Sequence, residues 1–145
     1  MAFSTFPIMP QIYLANLDKL SKNINEEIQK YAKRLSGGVE IHTLKNTAAF
    51  EKKFPADKFT RIILTEEGKL LNTKQLAGWL NIHLSKNMVF LVGSAYGIEP
   101  EIKQNADLLL SLSPLTFSHE HAFLLLTEQI YRCLMVLKGH PYHHG

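Results

Sequence analysis

The chain has a single cysteine, Cys133, in 145 residues, so it can form no internal disulfide. One thiol also cannot supply the paired ligands of a structural zinc site. No apolar run approaches the roughly 18 residues that a membrane-spanning helix needs. The opening stretch MAFSTFPIMP has no basic segment and is broken by Pro7 and Pro10, so it does not read as a secretory leader. There is no G-x-G-x-x-G, no Walker loop and no G-x-S-x-G, which removes the usual dinucleotide, nucleotide and serine-hydrolase signatures. A strong excess of one charge is lacking as well, with 16 Lys and Arg against 13 Asp and Glu. The formal net charge is +3 and the sequence pI about 9.0, which permits an anionic partner such as RNA without requiring one. The expectation is a cytoplasmic protein with no membrane segment and no metal.

What is present is an ordinary globular composition, 46% hydrophobic and 20% charged. The length suits one domain over residues 1–145 with a core that needs no covalent staples. AFSTFPI offers a short first strand. Leu17, Leu20, Ile24, Ile28, Tyr31 and Leu35 recur at three- and four-residue steps, which predicts a helix with Asn16 or Asp18 as cap and Gly37-Gly38 as its end. VEIHTL reads as a strand, AAFEKKF as about two helical turns, and FTRIILTEEGK as a strand entering a turn. Asn72 with Gln75 predicts a capping box ahead of QLAGWLNIHL. MVFLVG is a strand buried on both faces. Pro100 starts a short helix, DLLLS is a further strand, and EHAFLLLTEQIYRCLMVLKG is a closing helix. This alternation predicts an α/β fold with a mostly parallel sheet. Ligands of such sheets bind beyond the carboxyl ends of the strands. The stretches to inspect are therefore Thr65 to Lys69, Gly93 to Gly97 and Ser113 to His119.

Taken residue by residue, these stretches are suggestive. Gly93 and Gly97 bracket a tight turn in VGSAYG, where glycine allows close approach to a ligand, but a plain strand-to-helix turn fits equally. LSPLTFSHEH gathers the hydroxyls of Ser113, Thr116 and Ser118, able to hold the polar end of a small molecule or simply to cap a helix, with Ser118 as N-cap over His121. His119 and His121 are two apart and do not share a helix face, a poor spacing for a metal. His42 and His83 have no evident partner. Cys133 lies in an apolar helix and reads as core. The ending GHPYHHG reads as a fraying tail on composition alone.

From FLVGSAYGIEPEIKQNADLLLSLSPLTFSHEHAFLLLTEQIYRCLMVLKGHPYHHG onward the chain resembles a known family. It is similar to the C-terminal half of the ribosomal large-subunit pseudouridine N3-methyltransferases (RlmH), small members of the SPOUT superfamily. ILTEEGKLLNTKQLAGWL resembles the strand, D-x-x-G-K turn and helix of that family, and QKYAKRLSGGVEI its first helix end and second strand. Four positions depart from the pattern. Ser94 stands for a glycine, Ser118 for a proline, Phe123 for an arginine of the closing helix that faces the active site, and His144 for an arginine or lysine.

The resemblance implies an α/β fold with a C-terminal trefoil knot, a homodimer, S-adenosyl-L-methionine as cofactor, and a pseudouridine of 23S ribosomal RNA on the assembled ribosome as substrate. By the same resemblance the cofactor meets Leu64, Gly93, Gly97 and the segment Leu112, Ser113, Pro114, Leu115, Thr116 and Phe117. Tyr142 and His143 match the family's Y-H ending and are the candidates for positioning the base and removing its N3 proton, with His119 as second choice. HPYH is then family sequence, not a cloning scar. Glu128, Tyr131 and Arg132 match a further motif, with Glu128 and Arg132 expected as a helix pair or a dimer contact. Two other readings stay open: a SPOUT methyltransferase with a different RNA target, and a knotted RNA- or ribosome-binding protein with impaired catalysis.

Overall fold

A computed structural model describes residues 11–35 and 37–139. Ten elements alternate along the chain: β1 (Ile12–Asn16), α1 (Lys22–Arg34), β2 (Val39–Thr43), α2 (Thr47–Lys53), β3 (Thr60–Leu70), α3 (Thr73–Ile82), β4 (Met88–Val92), α4 (Pro100–Gln104), β5 (Leu108–Ser111) and α5 (His119–Leu137). The strands form one sheet in the order β2-β1-β4-β3-β5. Every neighbouring pair is parallel. All five carboxyl ends therefore lie along one rim.

Alternation along β4 sorts the core into two. Met88, Phe90 and Val92 face α1, α3 and α5, together with Ile28, Leu76, Leu80, Phe123, Leu126 and Ile130. Val89 and Leu91 face α2 and α4, with Phe50, Phe54 and Ile102. Residues two apart in a strand share a face, so a strand covered on both sides must be apolar throughout. Each fully buried aliphatic or aromatic side chain contributes about 2 kcal/mol of transfer free energy. Arg61 of β3 is the exception in the second core. Its Nε donates to the Phe54 carbonyl at 2.9 Å, its Nη2 pairs with Glu51, and its guanidinium lies 4.8 Å over the Phe50 ring.

The capping box Asn72–Gln75 forms as the sequence predicts, and Ser118 caps α5 through the His121 amide. Other expectations are corrected. The strand expected in AFSTFPI falls outside the described residues, and the strand that pairs with β2 and β4 is IYLAN. The first helix begins at Lys22, with Ser21 in the cap position. Neither Asn16 nor Asp18 caps it, because Asn16 is committed elsewhere. Its side chain is buried, donates to Thr43 Oγ1 at 3.0 Å and accepts from the Asp18 amide at 3.2 Å. Leu17 consequently packs in the α2/α4 core, across the sheet from the helix whose stripe it was expected to join.

β3 is also longer than the sequence suggests. Its register against β5 breaks after Leu64 and resumes at Lys69, so that Leu110 is the partner of both residues. Gly68 lies in this bulge with no room for a side chain. A Cβ there would sit 2.7 Å from backbone atoms of Leu109 and Leu110. His42 and His83, expected to lack partners, both have them. His42 Nε2 lies 3.2 Å from Glu40, and His83 stacks on Trp79 at 3.8 Å.

Candidate active site

A cavity of about 440 Å³ opens at the carboxyl ends of β3, β4 and β5, within the size range of small-molecule sites. Leu64, Val92 and Leu110 line it, and two loops and the bulged stretch of β3 close it.

The first loop is the glycine turn after β4. Gly93 is buried, and a Cβ on it would lie 2.4 Å from Ile98 Cγ1 and 2.9 Å from the Gly97 carbonyl oxygen. Gly97 has φ of +86°, a conformation open to glycine and costly for other residues. The turn is tied by the Gly97 amide donating to the Ser94 carbonyl at 3.0 Å. The Tyr96 amide donates to Ser94 Oγ at 3.2 Å. No described non-glycine residue has positive φ, so the serine at position 94 sits without backbone strain.

The second loop follows β5. Ser111 Oγ donates to the Ser113 carbonyl at 3.0 Å, and Ser113 Oγ accepts from the Leu115 amide at 2.9 Å. These short-range bonds hold the loop backbone in a curve. Leu115 is 71% and Phe117 41% exposed, although both are large and apolar. Leu112, Ser113, Leu115 and Phe117 line the cavity, while Pro114 and Thr116 lie in the same loop without joining its wall.

The bulged stretch of β3, Thr65 to Glu67, brings charge. Lys103 of α4 reaches across to Glu67 at 2.7 Å. Hydrogen bonds from Lys103 and then Thr65 hold the Glu67 carboxyl below its usual range. Glu66, Glu67, Lys103 and Ile98 also line the cavity, and no motif in the sequence assigns them a role.

His119, at the start of α5, also lines the cavity. Among the described residues its Nε2 is buried without a hydrogen-bond partner and lies 3.6 Å from Asp18 Oδ2. Next to it Glu120 accepts the Ser21 amide, fastening the start of α5 to the start of α1. That bond is the main cause of a lowered Glu120 pKa. Phe123 is fully buried in the α1/α3/α5 core. In this chain position 123 therefore does not face the cavity, contrary to the expectation for the family's arginine. Glu128 and Arg132 pair at 3.0 Å as expected for a helix pair. Burial pushes the Cys133 thiol up to about 12, so it is a core group and not a nucleophile. Tyr142 and His143 lie outside the described residues. Among the described residues no cluster of His, Cys, Asp and Glu is placed to hold a metal ion, and no helix is long and apolar enough to cross a membrane.

The chain is similar to known proteins. The family model described as "Predicted SPOUT methyltransferase" matches residues 10–143. The chain is 39% identical over 116 residues to a ribosomal RNA large subunit methyltransferase H of Thermus thermophilus, covering 80% of this chain and 85% of the relative. It is 40% identical over 132 residues to the enzyme of that name from Prochlorococcus marinus, covering 88% and 90%. The match to the Gloeobacter violaceus protein of the same name is 44% identical over 84 residues but spans 58% of this chain and 56% of that relative. Among solved structures, the SpoU methyltransferase AviRb of Streptomyces viridochromogenes, determined with the cofactor AdoMet, is similar in fold. Its TM-score is 0.54 at 11% identity, with 89% of this chain and 60% of that one covered. The TrmH/SpoU tRNA-modifying enzyme of A. aeolicus gives 0.52 at 14% identity, covering 89% and 76%. The five-stranded parallel sheet, the rim cavity and these sequence matches agree, and the chain belongs to the SPOUT methyltransferase family, among the ribosomal RNA large subunit methyltransferases H.

Proposed function

We propose that the protein transfers the methyl group of S-adenosyl-L-methionine to N3 of a pseudouridine in 23S ribosomal RNA of the assembled ribosome. The observation that carries this reading is the convergence of the glycine turn, the loop after β5 and His119 on one cavity of about 440 Å³. The donor set suits the cofactor. Leu64, Val92 and Leu110 provide an apolar floor for an adenine ring, and the Ser113 loop offers backbone groups at its edge. Absence of a Cβ at Gly93 keeps the turn close to the strand ends. The carboxylates Glu66 and Glu67 supply negative charge for the cationic end. The bound cofactor supplies a methyl group already activated by a sulfonium charge, so the chain needs no covalent nucleophile.

The protein's task is then to bind, align and deprotonate. Holding the acceptor in line with the methyl group removes much of the entropic barrier. The N3 proton of the base must leave, and a histidine can accept it near neutral pH. Tyr142 and His143 are proposed for positioning the base and taking this proton, with His119 second. His119 gains support from its place in the cavity wall and its buried, unbonded Nε2. Asp18 Oδ2, 3.6 Å from that nitrogen, adds negative charge beside it.

The same reading takes residues 1–145 as a single SPOUT-like domain that forms a C-terminal trefoil knot, dimerises and works in the cytoplasm. The knot reading draws on the register break of β3 against β5, where Leu110 pairs with both Leu64 and Lys69. The dimer is supported by the bare apolar side chains of Leu115 and Phe117 beside the cavity.

The test is calorimetric titration with S-adenosyl-L-methionine and its demethylated product, followed by methylation of ribosomes from cells lacking the protein and mass mapping of the modified nucleotide. Micromolar binding at one site per chain and a methyl group on a pseudouridine N3 are expected. No binding at millimolar cofactor overturns the reading. Replacing both Tyr142 and His143 by alanine should abolish methylation and spare cofactor affinity, and full activity in that double variant removes their role.

A further inference from the structure

A second cavity, of about 480 Å³, lies beside the first at the carboxyl ends of β1, β2 and β4. The two share Ser94, Gly97 and Ile98, so a single turn divides them. We propose that this second cavity is the subsite for a nucleotide of the RNA acceptor, with Tyr96 stacking on a base and Lys45 pairing with a backbone phosphate. The proposal rests on the methyltransferase reading above and adds where the substrate lies.

Three observations carry it. Tyr96 is 99% exposed, an aromatic ring that the described residues leave uncovered. Its backbone is nonetheless fixed, since its amide donates to Ser94 Oγ at 3.2 Å and Gly97 closes the turn onto Ser94 at 3.0 Å. A ring in water on a rigid turn is poor core material but a good stacking surface, and bases splayed from single-stranded RNA stack on such rings.

Lys45 lines the same cavity and makes no ion pair among the described residues. The nearby carboxylate of Glu99 is occupied, accepting the Thr47 hydroxyl at 2.6 Å, a bond that holds its pKa down. Lys45 is therefore the uncompensated cation of the cavity, suited to a phosphate. Leu17 and Ile98 supply apolar lining for a base.

The third observation is adjacency. A methyl group can pass only to an acceptor that reaches the donor cavity, and the turn from Ser94 to Ile98 is the wall common to both. A nucleotide held on Tyr96 has its neighbour at the entrance to the donor cavity.

The experiment measures fluorescence anisotropy of a labelled single-stranded pentauridylate with the full chain and with Tyr96→Ala, Tyr96→Phe and Lys45→Ala, alongside calorimetric cofactor affinity for each. Tyr96→Ala should weaken oligonucleotide binding about tenfold, a base stack being worth roughly 1–3 kcal/mol. Tyr96→Phe, which keeps the ring, should bind within about twofold of the parent. Lys45→Ala should reduce the slope of log affinity against log salt by about 0.7, the value for one phosphate contact on a single strand. Cofactor affinity should stay unchanged in all three. Unaltered oligonucleotide binding in Tyr96→Ala overturns the proposal. So does a loss confined to whole ribosomes, which would assign the cavity to a ribosomal protein. The two readings fail separately: a parent protein that binds pentauridylate through Tyr96 but methylates no ribosome sinks the enzymatic reading and keeps the subsite.

Discussion

The two cavities of the rim are built in opposite ways. The one at β3, β4 and β5 is shaped by backbone: a glycine without room for a Cβ, a serine loop bonded to itself, and a bulge seated on β5. The one at β1, β2 and β4 is shaped by side chains that reach into water, with Lys45 and Tyr96 at its edge. A site made of backbone fixes the shape of its ligand, because no rotamer can relax around a wrong one. A site made of exposed side chains fixes contacts and tolerates change. This division suits a constant cofactor in the first and a long, flexible RNA in the second.

The contrast can be broken most severely from beneath. Phe123→Arg restores the residue expected from the family pattern but places a guanidinium in the α1/α3/α5 core. An unpaired buried charge should cost about 4 kcal/mol, seen as a large fall in the urea midpoint and not as a gain in activity. Next in size is Gly68→Ala. Its Cβ would strike the β5 backbone, and overpacking of this kind costs about 3 kcal/mol, measured by the same denaturation. The glycine turn gives a finer division. Gly93→Ala should weaken S-adenosyl-L-methionine at least about tenfold, because the new methyl group displaces Ile98. Gly97→Ala has open space but the wrong φ, so it should cost about 1 kcal/mol of stability and leave more of the cofactor affinity intact.

The smallest effect is electrostatic. Glu120 has its pKa lowered by the Ser21 amide. A depressed carboxyl stabilises the fold above its ordinary value of 4.5 and loses that contribution as pH falls through its folded value. The stability gap between the parent and Glu120→Gln should therefore be open at neutral pH and narrow under acid. A gap that stays constant with pH would remove Glu120 as the acid-sensitive fastener of α1 to α5.

Much of this was legible in the sequence, where signals are local. The Asn72–Gln75 box, the Ser118 cap and the apolar run of β4 each depend on neighbours a few residues away. Of the cofactor residues expected from the family, Leu64, Gly93, Gly97, Leu112, Ser113, Leu115 and Phe117 share one cavity. The misses are long-range. Asn16 looked like a helix cap, yet its amide is spent on Thr43 across the sheet, so the helix starts five residues later in a different cap. His119 has a carboxylate beside it only because Asp18 comes from the loop after β1. The second cavity draws on Leu17, Lys45 and Tyr96, three segments that no periodicity connects.

The bulge that lets Leu110 pair with both Leu64 and Lys69 also sets an order of assembly. β3 and β5 meet through Arg61 and Asp107, 46 residues apart, whose backbone amide and carboxylate bond at 2.8 Å. β3 pairs with a strand that is made much later, and contacts of such separation slow folding. The rim cavity is lined by Leu64 of β3 and Leu110 of β5, so it is complete only once the two strands are paired. A ligand that binds only the finished cavity stabilises the finished chain alone. Saturation with cofactor should therefore slow unfolding and leave the folding rate nearly untouched, which makes the cofactor a latch on a completed molecule.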